Sequence, residues 1–204
     1  MMVSDDGHRL AFDKREMAVL TGMMAKEDRP NLAALWFHGG RAQAWATDGH
    51  RAVIVDRNDS PPRGDIKARP VAIPAVTALH VAKTAGARDL VVIDLAGPDV
   101  KIELRERTSK TAEIKAFGDV DAWTKPKHVV TCKRHEGGYS SIEFAFPSFR
   151  ERGGKGLVVP FDPALLGPVM ALASVAGGFV WLNIGNDDGP ILFLADAEDG
   201  SVWR

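Results

Sequence analysis

At 204 residues and 22.1 kDa, the chain is long enough for one large domain or two small ones, and to bury a core without covalent staples. Hydrophobic residues make up 45% and charged residues 26%, and no apolar run approaches the roughly 18 residues of a membrane span, which argues for a soluble protein. A formal net charge of -1 and a pI near 6.6 exclude a protein that coats nucleic acid by bulk positive charge, so any DNA contact needs a local basic face. The N-terminal "MMVSDDGHRLAF" lacks the basic and apolar sections of a secretory signal, and the single Cys132 cannot form an internal disulfide. Both features point to the cytoplasm.

The elements then follow in chain order. "HRLAF" reads as a strand. The next segment, "DKREMAVLTGMMAKEDR", carries Met17, Leu20 and Met24 at helical spacing, and Asp13 with Glu16 fits a capping box. The pattern predicts a helix from about Lys14 to Ala25. Three β-type runs come next, "LAALWFH", "RAQAWAT" and "HRAVIVD", joined by Gly39-Gly40 and Asp48-Gly49, both two-residue hairpin signals. The unit is strand, helix, three strands.

The same order returns. "RPVAI" is a strand, Pro74 suits the first turn of a helix through about Ala85, and Gly86 tolerates the left-handed backbone of a helix stop. "DLVVIDL", "DVKIELRER" and "TAEIKAF" supply three further strands. Residues 8 to 117 therefore read as two copies of one β-α-β-β-β unit, which argues more strongly for a fold than any single element. A third copy closes the chain: the strand "GLVVPF", a helix capped by Asp162 and interrupted by Pro168, then the strands "FVWLNIG", "PILFLAD" and "SVWR". Between them, "HVVTCKRHEGGYSSIEFAFP" reads as a hairpin turning at Gly137-Gly138, a unit without its helix. The division that follows is residues 1-122 with two units and residues 123-204 as a second, reduced domain.

One segment is specific at residue level. "ATDGHRAVIVD", residues 46 to 56, resembles the "ATDGHRLA" signature of the bacterial sliding clamp, the β subunit of DNA polymerase III. The doubled β-α-β-β-β unit resembles that family's domain architecture, and "VVPFDPALLGPVMALASVAGGFVWLNIGNDDGPILFLAD" resembles its last domain. The resemblance implies an α+β DNA-clamp fold, with helices on one face of curved antiparallel sheets. It also implies a non-enzymatic processivity factor in DNA replication, a homo-oligomer that encircles double-stranded DNA regardless of sequence and tethers polymerase or other clamp-binding peptides.

By the same resemblance, Thr47, Gly49, His50, Arg51 and Ala52 line a partner-binding pocket, with Leu32 across from them. Read from the residues alone, Asp48-Gly49 is a hairpin turn, and His50 and Arg51 serve equally as polar residues at a strand edge. A ring lined by helices implies basic side chains toward phosphates: Lys14, Arg15, Lys26 and Arg29 on or after the first helix, Lys83 and Arg88 on or near the second. A solvated helix face explains the same charges. Departures from the family pattern are plain: a whole domain's worth of sequence is missing, the chain ends in "SVWR" where the family has a Met-Pro-Met-type tail, Ala52 replaces a leucine, and the third helix has no basic residue.

No other chemistry is indicated. "RERGGKG" lacks the leading Gly and the Ser/Thr of a phosphate loop, Cys132 and His135 lack a second ligand pair for zinc, and "NDDG" and "DAEDG" lack calcium-loop spacing. No metal, cofactor or active site is expected. Trp36, Phe37, Trp45, Trp123, Trp181 and Trp203 fit core packing better than base stacking, since most sit among apolar neighbours in strands. The alternative function keeps the fold without the ring: a shortened clamp-fold module that binds proteins and does not encircle DNA.

Overall fold

The structure, a computed structural model, describes residues 1–25, 29, 32–49, 51–56, 69–108, 114–136, 181–184, 191–196 and 202–203. After a short strand β1 (Met2–Val3), the first unit comprises β2 (Arg9–Asp13), α1 (Lys14–Gly22), β3 (Ala34–His38), β4 (Gln43–Thr47) and β5 (Ala52–Asp56). The second comprises β6 (Val71–Pro74), α2 (Ala75–Thr84), β7 (Asp89–Asp94), β8 (Asp99–Arg107) and β9 (Thr124–Lys133), with the helix α3 (Phe117–Trp123) inserted before β9. Strands β10 (Trp181–Ile184), β11 (Ile191–Asp196) and β12 (Val202–Trp203) follow where "FVWLNIG", "PILFLAD" and "SVWR" predict them.

Two antiparallel sheets result, one ordered β1-β2-β7-β8-β9 and the other β10-β11-β12-β5-β4-β3-β6. Each unit gives its first strand to the other unit's sheet. Strand β2 pairs with β7, setting Leu10 opposite Ile93 and Phe12 opposite Val91, while β6 pairs with β3, setting Ile73 opposite Leu35. Separating the units would break both ladders at once. The last strands continue this second sheet, because β12 pairs with β5, setting Trp203 opposite Val55.

Strand alternation sorts the side chains by face. Leu10, Phe12, Val91 and Ile93 of one sheet and Leu35, Phe37 and Ile73 of the other form one buried cluster with Met17 and Leu20 of α1 and Ala78 and Val81 of α2. Helices α1 and α2 thus cover one face of both sheets, the arrangement expected of an α+β clamp-type fold. On the reverse face of the five-stranded sheet, Ala11, Leu90 and Val92 pack under Phe117 and Val120 of α3. On the reverse face of the other sheet, Trp36 and Trp45 stack nearly parallel, with ring centroids 6.2 Å apart, and both are buried. Core packing is therefore what these two tryptophans do; Trp123 is exposed.

The start of α1 follows its local signal. The Glu16 backbone N–H donates to Asp13 at 2.8 Å and the Asp13 N–H donates to Glu16 Oε2 at 2.7 Å, closing both halves of the capping box. Four other expectations are corrected. Helix α1 stops at Gly22 rather than near Ala25. Gly86 is not in the left-handed region; its N–H instead donates to Asp89 Oδ2 at 2.6 Å. Both hairpin loops hold four residues, not two. In the loop after β3 a short turn spans Gly39–Arg41, and Ala42 takes the positive φ of 52°.

The last correction concerns "TAEIKAF". Ile114 to Ala116 are not strand and Phe117 begins α3, so the final strand of the second unit is β9, which pairs along β8. Phe117 and Val120 lie one helical turn apart, which turns both onto the sheet's reverse face. Asp119 accepts the N–H groups of Lys115 and Ala116 at 2.9 Å each, satisfying donors at the helix start. Arg9 fixes the helix from the sheet: its guanidinium holds Asp121 at 2.8 and 2.9 Å and lies 4.8 Å from the Phe117 ring centroid. The Arg9 hydrogen bonds hold the Asp121 carboxyl below its ordinary value. The five-stranded sheet therefore continues past residue 122 as far as Lys133. The expected helix after Asp162, the strand "GLVVPF" and the turn at Gly137-Gly138 lie outside the described residues.

Gly39 is needed for close approach rather than for the turn. A Cβ there would lie 1.8 Å from the Gly7 carbonyl oxygen, whereas one on Gly118 of α3 would meet nothing within 4 Å. Gly39→Ala should lower stability by about 3 kcal/mol through forced backbone displacement, and Gly118→Ala should raise it by about 0.5–1 kcal/mol. Urea midpoints check both, and equal midpoints for the two variants would contradict the packing described.

Candidate functional site

The turn between β4 and β5 is closed by its own side chains. Thr47 and Ala52 are the last ladder pair, and the Asp48 N–H donates to the Arg51 carbonyl at 3.2 Å. The Thr47 hydroxyl donates to that same carbonyl at 2.7 Å and accepts the Gly49 N–H at 3.0 Å. Asp48 Oδ1 accepts the Arg51 N–H at 2.8 Å, and Oδ2 accepts Arg51 Nε at 3.0 Å and Nη2 at 2.7 Å. Asp48 thus closes the loop as an Asx-type cap and anchors the arginine side chain together. Gly49 takes φ 89°, the left-handed conformation that glycine adopts without steric cost.

The second wall comes from the chain after α1. The Ala25 N–H is shared between the carbonyls of Leu32 at 3.3 Å and Thr47 at 3.2 Å, tying the end of the helix region to the turn. Leu32 and Ala33 both donate their N–H groups to the Arg29 carbonyl at 2.9 Å, which bends the chain back. Arg29 Nη1 then donates to the Asp48 carbonyl at 3.0 Å. A Cβ on Gly49 would lie 3.1 Å from both Arg29 Nη1 and Leu32 Cδ1, so the missing side chain makes room for these two groups.

The structure accordingly brings Leu32, Thr47, Gly49, Arg51 and Ala52 together. His50 lies outside the described residues. Arg29, which the sequence groups with DNA-facing residues, reaches the turn with its guanidinium. The signal for it was its position three residues before Leu32, one turn away, which only the local bend converts into contact.

The remaining expected DNA-facing residues lie elsewhere. Lys14 and Arg15 are exposed in the first turn of α1, Lys83 is exposed in the last turn of α2, and Arg88 is exposed before β7; Lys26 lies outside the described residues. Arg15 Nε lies 3.9 Å from Asp13, a loose ion pair. The outward positions of the two helices include no acid. Their single acid, Glu16, is buried against the Met1 ammonium, and burial raises its pKa. The outward face of α2 also exposes Val76 at 62% and Leu79 at 40%.

Among the described residues no group of three or more His, Cys, Asp or Glu side chains is placed to hold a metal ion. Cys132 packs toward the main core and burial raises its thiol pKa, whereas His135 meets the edge of Trp36 on the reverse face of the other sheet. The two do not converge.

In fold, the chain is similar to solved bacterial DNA polymerase sliding clamps. It matches the sliding clamp from Pseudomonas aeruginosa, solved with ligand, at a TM-score of 0.63 and 15% identity over 97% of this chain and 65% of that one. For the sliding clamp from Caulobacter crescentus the TM-score is 0.58 and the identity 17%, over 100% of this chain and 66% of that one. The chain spans just under two thirds of the length of these clamps. No family model and no curated protein matches its sequence.

The packing at Gly49 is open to direct test. Gly49→Ala should cost about 1–2 kcal/mol from the left-handed backbone alone, with a further loss as Leu32 is displaced. A urea midpoint unchanged from the unsubstituted protein would contradict the close approach of Leu32 and Arg29.

Proposed function

We propose that this protein is a sliding-clamp-like processivity factor that closes around double-stranded DNA and tethers polymerase or other clamp-binding peptides at the β4–β5 turn. The observation that carries this reading is the turn "ATDGHR", braced by Leu32 and Arg29 on a body with the fold of sliding clamps. In this reading Thr47, Gly49, His50, Arg51, Ala52 and Leu32 form the partner site, and the protein acts without catalysis in the cytoplasm. No helix among the described residues is long and apolar enough to cross a membrane.

Duplex DNA would meet the outward face of α1 and α2. Lys14, Arg15, Lys83 and Arg88 would face phosphates, a role this reading also gives Lys26 and Arg29, and the lack of outward acid on these helices suits contact without sequence reading. Helix α1 has nine residues, about 14 Å of length. In this reading one such helix spans only part of a duplex, and encirclement is by a homo-oligomer. We read residues 1-122, continued by β9, as the clamp-type body and the chain beyond as a reduced second domain.

The edge of the five-stranded sheet suits such assembly. In the first unit the last strand, β5, is extended by β12, whereas its counterpart in the second unit, β9, is the last strand of its sheet among the described residues. Lys125, Pro126 and the register shift opposite Leu104 and Arg105 blunt the first half of β9, while His128 to Lys133 pair regularly with β8. In this reading that second half takes a strand from another copy. The competing reading, an interaction module that does not encircle DNA, is favoured by Val76 and Leu79, which are apolar where phosphates would lie.

Light scattering on the full chain should give a whole multiple of 22.1 kDa greater than one. Adding charge to β9 with Val129→Lys and Thr131→Lys should return the mass to one protomer with an unchanged far-ultraviolet spectrum. A monomeric unsubstituted protein would favour the interaction module over the ring.

A further inference from the structure

The reverse face of the five-stranded sheet, under α3, lies apart from both the β4–β5 turn and the outward face of α1 and α2. We propose that this face is a docking groove for a short acidic helix of a partner protein, one with an aromatic and an aliphatic residue a turn apart and a carboxylate beside them. Helix α3 is the internal occupant of that groove, and a partner binds by displacing it.

The groove is built from the alternation of the strands. Ala11 lies between Met2 and Val92 as their ladder partner, so its small side chain leaves a trough on the sheet, with Leu90 alongside. Phe117 and Val120 of α3 fill the trough and are buried, joined by Ile114. Arg9 stands two residues from Ala11 on the same face and holds Asp121 through both Nη groups at 2.8 and 2.9 Å. Its guanidinium also lies 4.8 Å from the Phe117 ring centroid, which favours an aromatic residue at that position. The pattern recognised is therefore apolar at i and i+3 with a carboxylate at i+4, one face of a helix seated in a groove. Arg105 lies 3.6 Å from Asp121 but is matched by Glu103 at 2.5 Å and Thr124 at 2.7 Å, so Arg9 is the cation that reads the carboxylate.

The attachment of α3 is that of a flap. Arg107 and Thr124 are ladder partners, and the Thr108 N–H and hydroxyl both donate to the Trp123 carbonyl, at 2.9 and 3.0 Å. The chain from 108 to 123 thus leaves and rejoins the sheet at one point, and lifting α3 removes no rung of the β8–β9 ladder. Seven residues are too few for a helix to persist away from its groove, and Gly118 lowers the helix propensity further. The ion pair that holds the helix is partly exposed, 27% at Arg9 and 49% at Asp121, and exposed pairs contribute little. An element held in this way opens locally while the sheet beneath stays folded. The closed flap lowers a partner's apparent affinity in proportion to how seldom the groove is vacant.

The probe is a labelled, end-blocked peptide of residues 114–124, Ile-Lys-Ala-Phe-Gly-Asp-Val-Asp-Ala-Trp-Thr, added to the full chain and read by fluorescence anisotropy. Phe117→Ala in the protein empties the groove, so this variant should bind the peptide at least about tenfold more tightly than the unsubstituted protein, with an unchanged far-ultraviolet spectrum. Should that variant fail to fold, Asp121→Asn in the protein should give a gain of about fivefold, the scale of one exposed ion pair. Arg9→Gln added to either variant should remove its preference for this peptide over one carrying asparagine in place of Asp121. No gain in a folded variant would overturn the proposal and make α3 a fixed part of the body. Equal binding of a scrambled peptide, or a carboxylate preference that survives Arg9→Gln, would overturn it as well.

Discussion

The pairing of β2 with β7 and of β6 with β3 sets the constraint on which the rest of the structure depends. Because each unit's first strand is hydrogen-bonded into the other's sheet, α1 and α2 leave their strands from opposite sheets and meet over a shared core. The capping box at Asp13 and Glu16 then fixes where α1 starts relative to β2, and the Ala25 N–H fixes its far end to the β4–β5 turn. A hydrophobic core of this kind is not divisible, since Phe12 of the first unit and Val91 of the second lie opposite each other in one ladder. The position of the candidate site is therefore set by the exchange of strands and not by the turn alone.

Local signals in the sequence are legible where the interaction that uses them is also local. Asp13 and Glu16 announce the start of α1 because a capping box closes within four residues. Gly39-Gly40 and Asp48-Gly49 correctly mark where strands reverse, but not the loop lengths. Gly39 is required by the distant Gly7 carbonyl, and the second loop is closed by the Asp48 side chain. The repeat of β-α-β-β-β shows in the pattern, yet the pattern cannot say which sheet a strand joins, so the exchange was not visible. "TAEIKAF" alternates like a strand, and the helical spacing of Phe117 and Val120 spans one turn only, too little to outweigh it.

The candidate site divides in the same way. Leu32 lies against the turn at Gly49, and Arg29 reaches the turn because the chain bends at the Arg29 carbonyl. The geometry separates two kinds of positive charge that composition treats alike. Lys14 and Lys83 are solvated on the helix face, where attraction to a polyanion would be long-range and screened by salt. Arg51 within the turn and Arg29 against it are each held by hydrogen bonds, where direction matters as much as charge. A face for DNA and a site for partners can thus coexist on a chain whose net charge is only -1.

The measurement that bears most directly on the central claim is retention on DNA of defined topology. The full-length protein is bound to a nicked circular duplex, and the same DNA is then cut once with a restriction enzyme. A protein that encircles DNA should stay on the circle through a wash at high salt and leave after linearisation. Equal retention on circle and line, or loss from both with rising salt, would contradict encirclement and leave surface binding or protein interaction as the role of this fold.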